Sequence, residues 1–131
     1  MLFRSIGYVT IGTNDIAKAK TFYDALFAEL SGSIMFADDK YTFYGTGWDA
    51  PMVALCAPYD GRPATVGNGA MVALQAPDRA TVDRVHAKAL ELGAADEGAP
   101  GLREPPEMHF YGAYFRDLDG NKLCAFKMGA E

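Results

Sequence analysis

The sequence predicts an α+β fold of two tandem βαβββ modules, forming a cupped mixed sheet with its helices on the outside. Three observations carry this expectation. A strand-like run followed by a capped helix occurs twice, with Asp15 and Asp78 at equivalent places 63 positions apart in a chain of 131 residues. A stretch rich in Pro and Gly, without either period, separates the two copies. The second copy closes on YGAYFRDLDGNKLCAF, two alternating runs hinged on Asp117-Leu118-Asp119-Gly120-Asn121.

In the first copy Ile6 to Gly12 alternates, with Ile6, Tyr8 and Thr10 on one side and Val9 and Ile11 on the other, as in a half-buried strand. Asn14 or Asp15 then caps a helix. Its apolar stripe is Ile16, Ala19, Phe22, Tyr23, Leu26, Phe27 and Leu30; Lys18, Lys20, Asp24 and Glu29 are left to solvent, and Gly32 ends it. Short strands are expected over 33–36, 41–44 and 51–57, separated by turns at Asp38-Asp39-Lys40 and from Gly45 to Asp49.

The second copy repeats the order. Gly69 to Gln75 alternates, Asp78 caps a helix with the stripe Val82, Val85, Ala89 and Leu92, and Gly93 stops it. A strand near 94–97 precedes the loop GAPGLREPPE, whose Pro and Gly content should prevent it from continuing a ladder. The closing hairpin follows. Offset by 63, Tyr8 maps to Met71, Val9 to Val72, Ile11 to Leu74 and Phe22 to Val85, so apolar positions fall on apolar positions. A sheet whose helix covers one face leaves the other bare, and two such units resolve this by pairing their bare faces around a cleft. The expected organisation is therefore one domain, 1–131, with module 1 over about 4–57, a connector over 58–68 and module 2 over about 69–128.

A formal charge of −5, and 12 Lys and Arg without a cluster, argue against a nucleic-acid partner. No apolar run approaches the roughly 20 residues that cross a bilayer, and the N-terminal run lacks a leader's apolar core, so no membrane partner and a cytoplasmic location are expected. Cys56 and Cys124 are too few for a disulfide framework or paired zinc motifs and read as reduced thiols.

The duplicated pattern, the junction TNDIAKAKTFYDAL, the connector YDGRPATVGNG and the final YGAYFRDLDGNK resemble the vicinal oxygen chelate superfamily, which holds glyoxalase I, extradiol dioxygenases and the bleomycin and fosfomycin resistance proteins. The last two segments are most similar to its uncharacterised glyoxalase-like subgroup. The resemblance implies the glyoxalase/bleomycin resistance fold and a divalent metal held by His and Glu from the first, fourth, fifth and eighth strands. In this chain those positions fall on Tyr8, near Ala54, on Met71 and on Cys124. Such a set supplies at most one good donor where Zn²⁺, Ni²⁺ or Mn²⁺ needs three or four, so neither a metal nor another cofactor is expected.

Parity puts Tyr8, Thr10, Met71, Ala73, Gln75, Lys122, Cys124 and Phe126 on the cup side, and Tyr111 joins them as an expected ligand contact. This mixture of apolar surface and a few polar tips suits a small molecule. Two other readings stay open: Tyr8, Met71 and Phe126 fill the space left by the metal, or the chain is a metal-independent lyase or isomerase using Cys124 as nucleophile or His109 as base. His109 is expected at the start of the seventh strand and His86 on a helix surface or interface. Trp48 suits a dimer contact or a lid equally, and the helix flanks at Phe22 and Phe27 predict a homodimer.

Overall fold

The structure, a computed structural model, describes residues 6–130. Arg4 and Ser5, where the first module was expected to begin, lie outside the described residues. The chain divides into two compact units, one ending at Thr65 and the other starting at Val66, a boundary that falls inside the expected connector. Each unit is one βαβββ module with its own four-stranded mixed sheet.

In the first unit β1 (Tyr8–Gly12) leads into α1 (Ile16–Ala28), followed by β2 (Ser33–Ala37), β3 (Tyr41–Gly45) and β4 (Met52–Cys56). The sheet order is β1-β4-β3-β2, with β1 parallel to β4 and the other pairs antiparallel. Asp15 is the cap, accepting from the Lys18 amide at 3.1 Å. Asn14 instead clamps the connector: its Nδ2 donates to the Ala64 carbonyl at 3.1 Å and its Oδ1 accepts from the Ala64 amide at 2.7 Å. The helix ends before Gly32, because the chain turns through left-handed Ser31 (φ 60°) and the Gly32 amide returns to the Phe27 carbonyl at 2.8 Å.

Phe22 and Phe27 are buried within this unit, which corrects their expected exposure on a helix flank. Tyr23 packs edge-on to Phe22 and stacks on Phe27, and Phe27 lies 5.0 Å from Tyr44. The Tyr44 hydroxyl donates to Asp24 at 2.6 Å, so that exposed carboxylate, on the solvent side as expected, also ties the helix to the sheet. Burial first, and then the Asp24 charge, push the Tyr44 phenol above its usual range.

The second unit runs β5 (Val72–Gln75), α2 (Arg79–Glu91), β6 (Ala95–Leu102), a short 3₁₀ turn (Pro106–Met108), β7 (Tyr111–Arg116) and β8 (Lys122–Lys127). Its order, β5-β8-β7-β6 with β5 parallel to β8, repeats that of the first sheet. The two helices start at Ile16 and Arg79 and end at Ala28 and Glu91, so both boundaries keep the offset of 63. Asp78 caps α2 through the Thr81 amide at 2.8 Å, and Gly93, at φ +103°, turns the chain out of it.

Two expectations for this unit are corrected. The stretch GAPGL does continue a ladder: β6 runs to Leu102, but its register slips between Asp96 and Gly98 and again between Gly98 and Gly101. Pro100 falls inside the second slip on an edge strand, where its missing N–H breaks no pairing. His86 is buried, 6% exposed, with Nε2 3.0 Å from Asp96 Oδ1 and its ring edge-on to Phe115. Asp96 also accepts from the Gly98 amide, and that bond more than the His86 contact holds its carboxyl below the usual range.

Candidate functional site

The hairpin turn sets the register of the second site. The Asp117 carboxylate accepts from the amides of Asp119 at 3.0 Å and Asn121 at 2.8 Å, and Gly120 takes φ +91° at the tip. Arg116 is thereby paired with Lys122, Tyr114 with Cys124 and Gly112 with Phe126. Phe115 touches His86 of α2, and the Tyr111 hydroxyl donates to Asp83 of α2 at 2.7 Å, so odd-numbered positions of β7 face the helix. Even-numbered ones face away. Tyr111, expected among the ligand contacts, therefore stands on the helix-covered face beneath Arg79, whose guanidinium lies 5.2 Å from its ring.

The bare face of this sheet brings together Ala73, Gln75, Lys122, Cys124 and Phe126, with Ala73 opposite Cys124 and Gln75 opposite Phe126. Met71 precedes β5 rather than lying within it and is 44% exposed. His109 is outside β7: it caps the 3₁₀ turn in the left-handed region, at φ 49°, and is exposed. The expected nucleophile is not activated there. Burial pushes the Cys124 thiol up, against the opposing pull of the Tyr114 hydroxyl, Arg103 and Lys122.

Several residues of this face were not among the expected ones. Tyr114 takes the place expected of Tyr111, standing opposite Cys124. The Arg103 guanidinium lies 5.3 Å, and the Lys122 ammonium 5.5 Å, from the Tyr114 ring centre. Gly98 and Gly101 make room for Arg103: a Cβ would stand 3.3 Å from its Nη2 at the first and 3.0 Å from its Nη1 at the second. Phe110 stacks on Phe126 at 5.2 Å, lying over Gly112, where a Cβ would come within 2.6 Å of its ring. The pairing of Tyr114 with Cys124 follows from counting back across the turn, a signal present in the sequence. Nothing local marks Arg103, whose position along the edge of this face depends on the two slips of β6.

In the first unit Tyr44 faces α1, so Phe43 and Tyr41 face away, together with Tyr8, Thr10 and Ala54 through the register Tyr8↔Met52, Thr10↔Ala54 and Phe43↔Ala54. Tyr8 lies edge-on to Phe43 at 5.1 Å, and Phe36 and Tyr41 flank the same ring at 6.1 and 5.9 Å. This bare face is aromatic. Thr10 is exposed, whereas Ala54 is fully buried and leaves no open floor.

The profile of the Glyoxalase/Bleomycin resistance protein/Dioxygenase superfamily matches residues 5–125. The chain belongs to this superfamily. Among solved structures, this superfamily member is similar to a glyoxalase/bleomycin resistance protein from Albidiferax ferrireducens T118, at 35% identity and a TM-score of 0.84 over 93% of this chain and 97% of that one. A glyoxalase/bleomycin resistance protein/dioxygenase family enzyme from Burkholderia phytofirmans PsJN shares the fold at 19% identity, TM-score 0.74, covering 94% and 98%. So does a lactoylglutathione lyase from Agrobacterium tumefaciens, at 21% identity, TM-score 0.67, covering 94% and 92%. No curated protein matches.

The metal that the superfamily implies does not fit the residues present. Tyr8 offers a phenol, Ala54 no donor, Met71 an exposed thioether and Cys124 a buried thiol held in its protonated form. Metal binding at neutral pH needs several imidazole, carboxylate or thiolate donors converging on one point. Among the described residues, no group of three or more His, Cys, Asp or Glu could hold an ion. Among the described residues, no helix is long and apolar enough to cross a membrane.

Proposed function

We propose that this superfamily member binds a small apolar or aromatic molecule against the bare faces of its sheets, in the cup that the two modules are expected to form, without a metal. One observation carries the reading: where metal ligands would stand are Tyr8, Ala54, Met71 and Cys124, and around them are stacked and edge-on aromatic rings instead of acids and imidazoles. Flat apolar walls with a few polar tips are how proteins take up small molecules. The metal-independent lyase or isomerase is the weaker reading, because Cys124 is held protonated by burial and His109 stands outside the strand.

Dialysis against Zn²⁺, Ni²⁺ and Mn²⁺ followed by elemental analysis tests the first half, and one tightly held ion per chain would overturn it. Calorimetric titration with 2-naphthamide, a neutral flat aromatic, tests the second. Saturable binding is expected, and Ala73→Trp, which places an indole on the bare face, should abolish it. A full-strength response from that variant would move the ligand elsewhere.

The assembly proposed is a cytoplasmic homodimer. Phe22 and Phe27 no longer support it, but Ile34 and Phe36 on edge strand β2 are 42% and 47% exposed, and an exposed apolar edge favours a partner. Light scattering over a tenfold micromolar range should give twice the chain mass. The two free thiols accord with a reducing compartment.

A further inference from the structure

Charge on the bare face of the second sheet is distributed against the balance of the whole chain. The protein carries a formal charge of −5, yet this face gathers Arg103, Arg116 and Lys122 beside the carboxylate of Glu97, whose charge reaches Lys122 as well as Arg116. Glu97 is committed: its Oε1 accepts from Arg116 Nε at 2.6 Å, and Arg116 Nη1 donates to the Gly120 carbonyl at 3.1 Å. Among the described residues neither Arg103 nor Lys122 forms an ion pair.

Both remaining cations lie against one ring, that of Tyr114, at 5.3 and 5.5 Å. The quadrupole of a single ring attracts each of them, but cation–π attraction is small beside a full counter-charge, and two like charges gathered on a half-buried face repel. Arg103 is held there by design of the backbone. Its Nη2 donates to the Ala99 carbonyl at 2.7 Å, and the missing side chains of Gly98 and Gly101 admit the guanidinium. That single bond leaves most of the guanidinium's five donors for another acceptor. Beside the cations lies flat apolar surface, the stacked Phe110 and Phe126, with the small, exposed Ala73 on the neighbouring strand.

We propose that the ligand of this face is an organic anion with a flat apolar body, whose carboxylate, sulfonate or phosphonate is taken by Arg103 with Lys122 and the Tyr114 hydroxyl, while its body lies along Phe126 and Ala73. The inference rests on the binding reading above and narrows it from apolar molecules in general to amphiphilic anions. A guanidinium fork matches a planar oxyanion with two parallel bonds. The phenol contributes a further polar group at the same edge, and the ammonium adds charge without demanding geometry.

Two isosteric probes separate this inference from the reading it rests on. 2-Naphthoate and 2-naphthamide differ in charge but scarcely in shape, and calorimetry should find naphthoate tighter by at least about tenfold, the scale of one charge-assisted contact. Arg103→Gln should erase that advantage, and Lys122→Gln should reduce it in part. A measurement on the unaltered protein guards against a misfolded variant: added salt should weaken naphthoate binding and leave naphthamide binding unchanged. Equal affinity for both probes, insensitive to salt, would overturn the anion inference and leave the apolar binding reading standing. A naphthoate preference that survives both substitutions would also overturn it, by placing the anion elsewhere. Failure of both probes to bind would overturn the two together.

Discussion

Truncating Met71 and Leu123 to Ala in separate variants distinguishes an open ligand-binding face from a filled core, since both residues belong to the second unit and differ in which side of the sheet they serve. Leu123 is 0% exposed on the helix-packed face, so Leu123→Ala should leave a cavity and cost about 2–5 kcal/mol. Met71 is 44% exposed. Full burial of a side chain of its size is worth about 1.5–3 kcal/mol, so a position little more than half removed from water should lose about 1 kcal/mol on truncation. Urea unfolding followed by circular dichroism, read as midpoint shifts at constant slope, gives both values in the apo protein. A Met71→Ala loss above about 3 kcal/mol, in the range of core truncations, would mean that Met71 fills a core, and the binding reading would fail with it.

Three further outcomes can be checked without a ligand. Because burial pushes the thiol up, iodoacetamide should label Cys124 far more slowly than free cysteine at neutral pH and speed up only above the ordinary thiol range; labelling faster than free cysteine, resolved by peptide mass spectrometry, would restore the nucleophile. The Asp96 carboxyl is depressed by the Gly98 amide and His86, so its contribution to stability is complete above the ordinary carboxyl value of about 3.9 and is lost as pH falls through its lower folded value. Asp96→Asn should therefore flatten the acid limb of the stability profile, and an unchanged limb would count against the pairing. Tyr44→Phe removes a hydroxyl bonded to an exposed carboxylate at 2.6 Å and should cost about 1 kcal/mol, less than a buried charged bond because water screens Asp24; a neutral result would assign the aromatic cluster's stability to packing alone.

Local pattern determined the architecture. Alternation and helical spacing are properties of consecutive residues, so both βαβββ units, the Asp78 cap, the Gly93 stop and the Asp117 to Asn121 hairpin could be read before any contact was known, whereas the choice of Asp15 over Asn14 as the first cap needed the structure. The offset of 63 survives in both helix boundaries because each helix is delimited by its own cap and apolar stripe. Which residues stand at the positions that the resemblance gives to metal ligands is likewise a matter of residue type, once the resemblance supplies the positions.

Tertiary structure decided which side chains share a face and which pair. A shift of one residue turns a side chain to the opposite face, so the error between Tyr111 and Tyr114 came from placing β7 without counting its register from the turn. His86 looked like a surface residue until Asp96, ten positions away on β6, was brought to it, and Phe22 and Phe27 looked exposed until Tyr23 packed on the first and Tyr44 on the second. Arg103 was least legible of all, since its place beside Tyr114 depends on two register slips around Gly98 and Gly101. Such slips follow from a balance of pairing, Pro exclusion and edge position across the whole sheet, and no short window of sequence contains that balance.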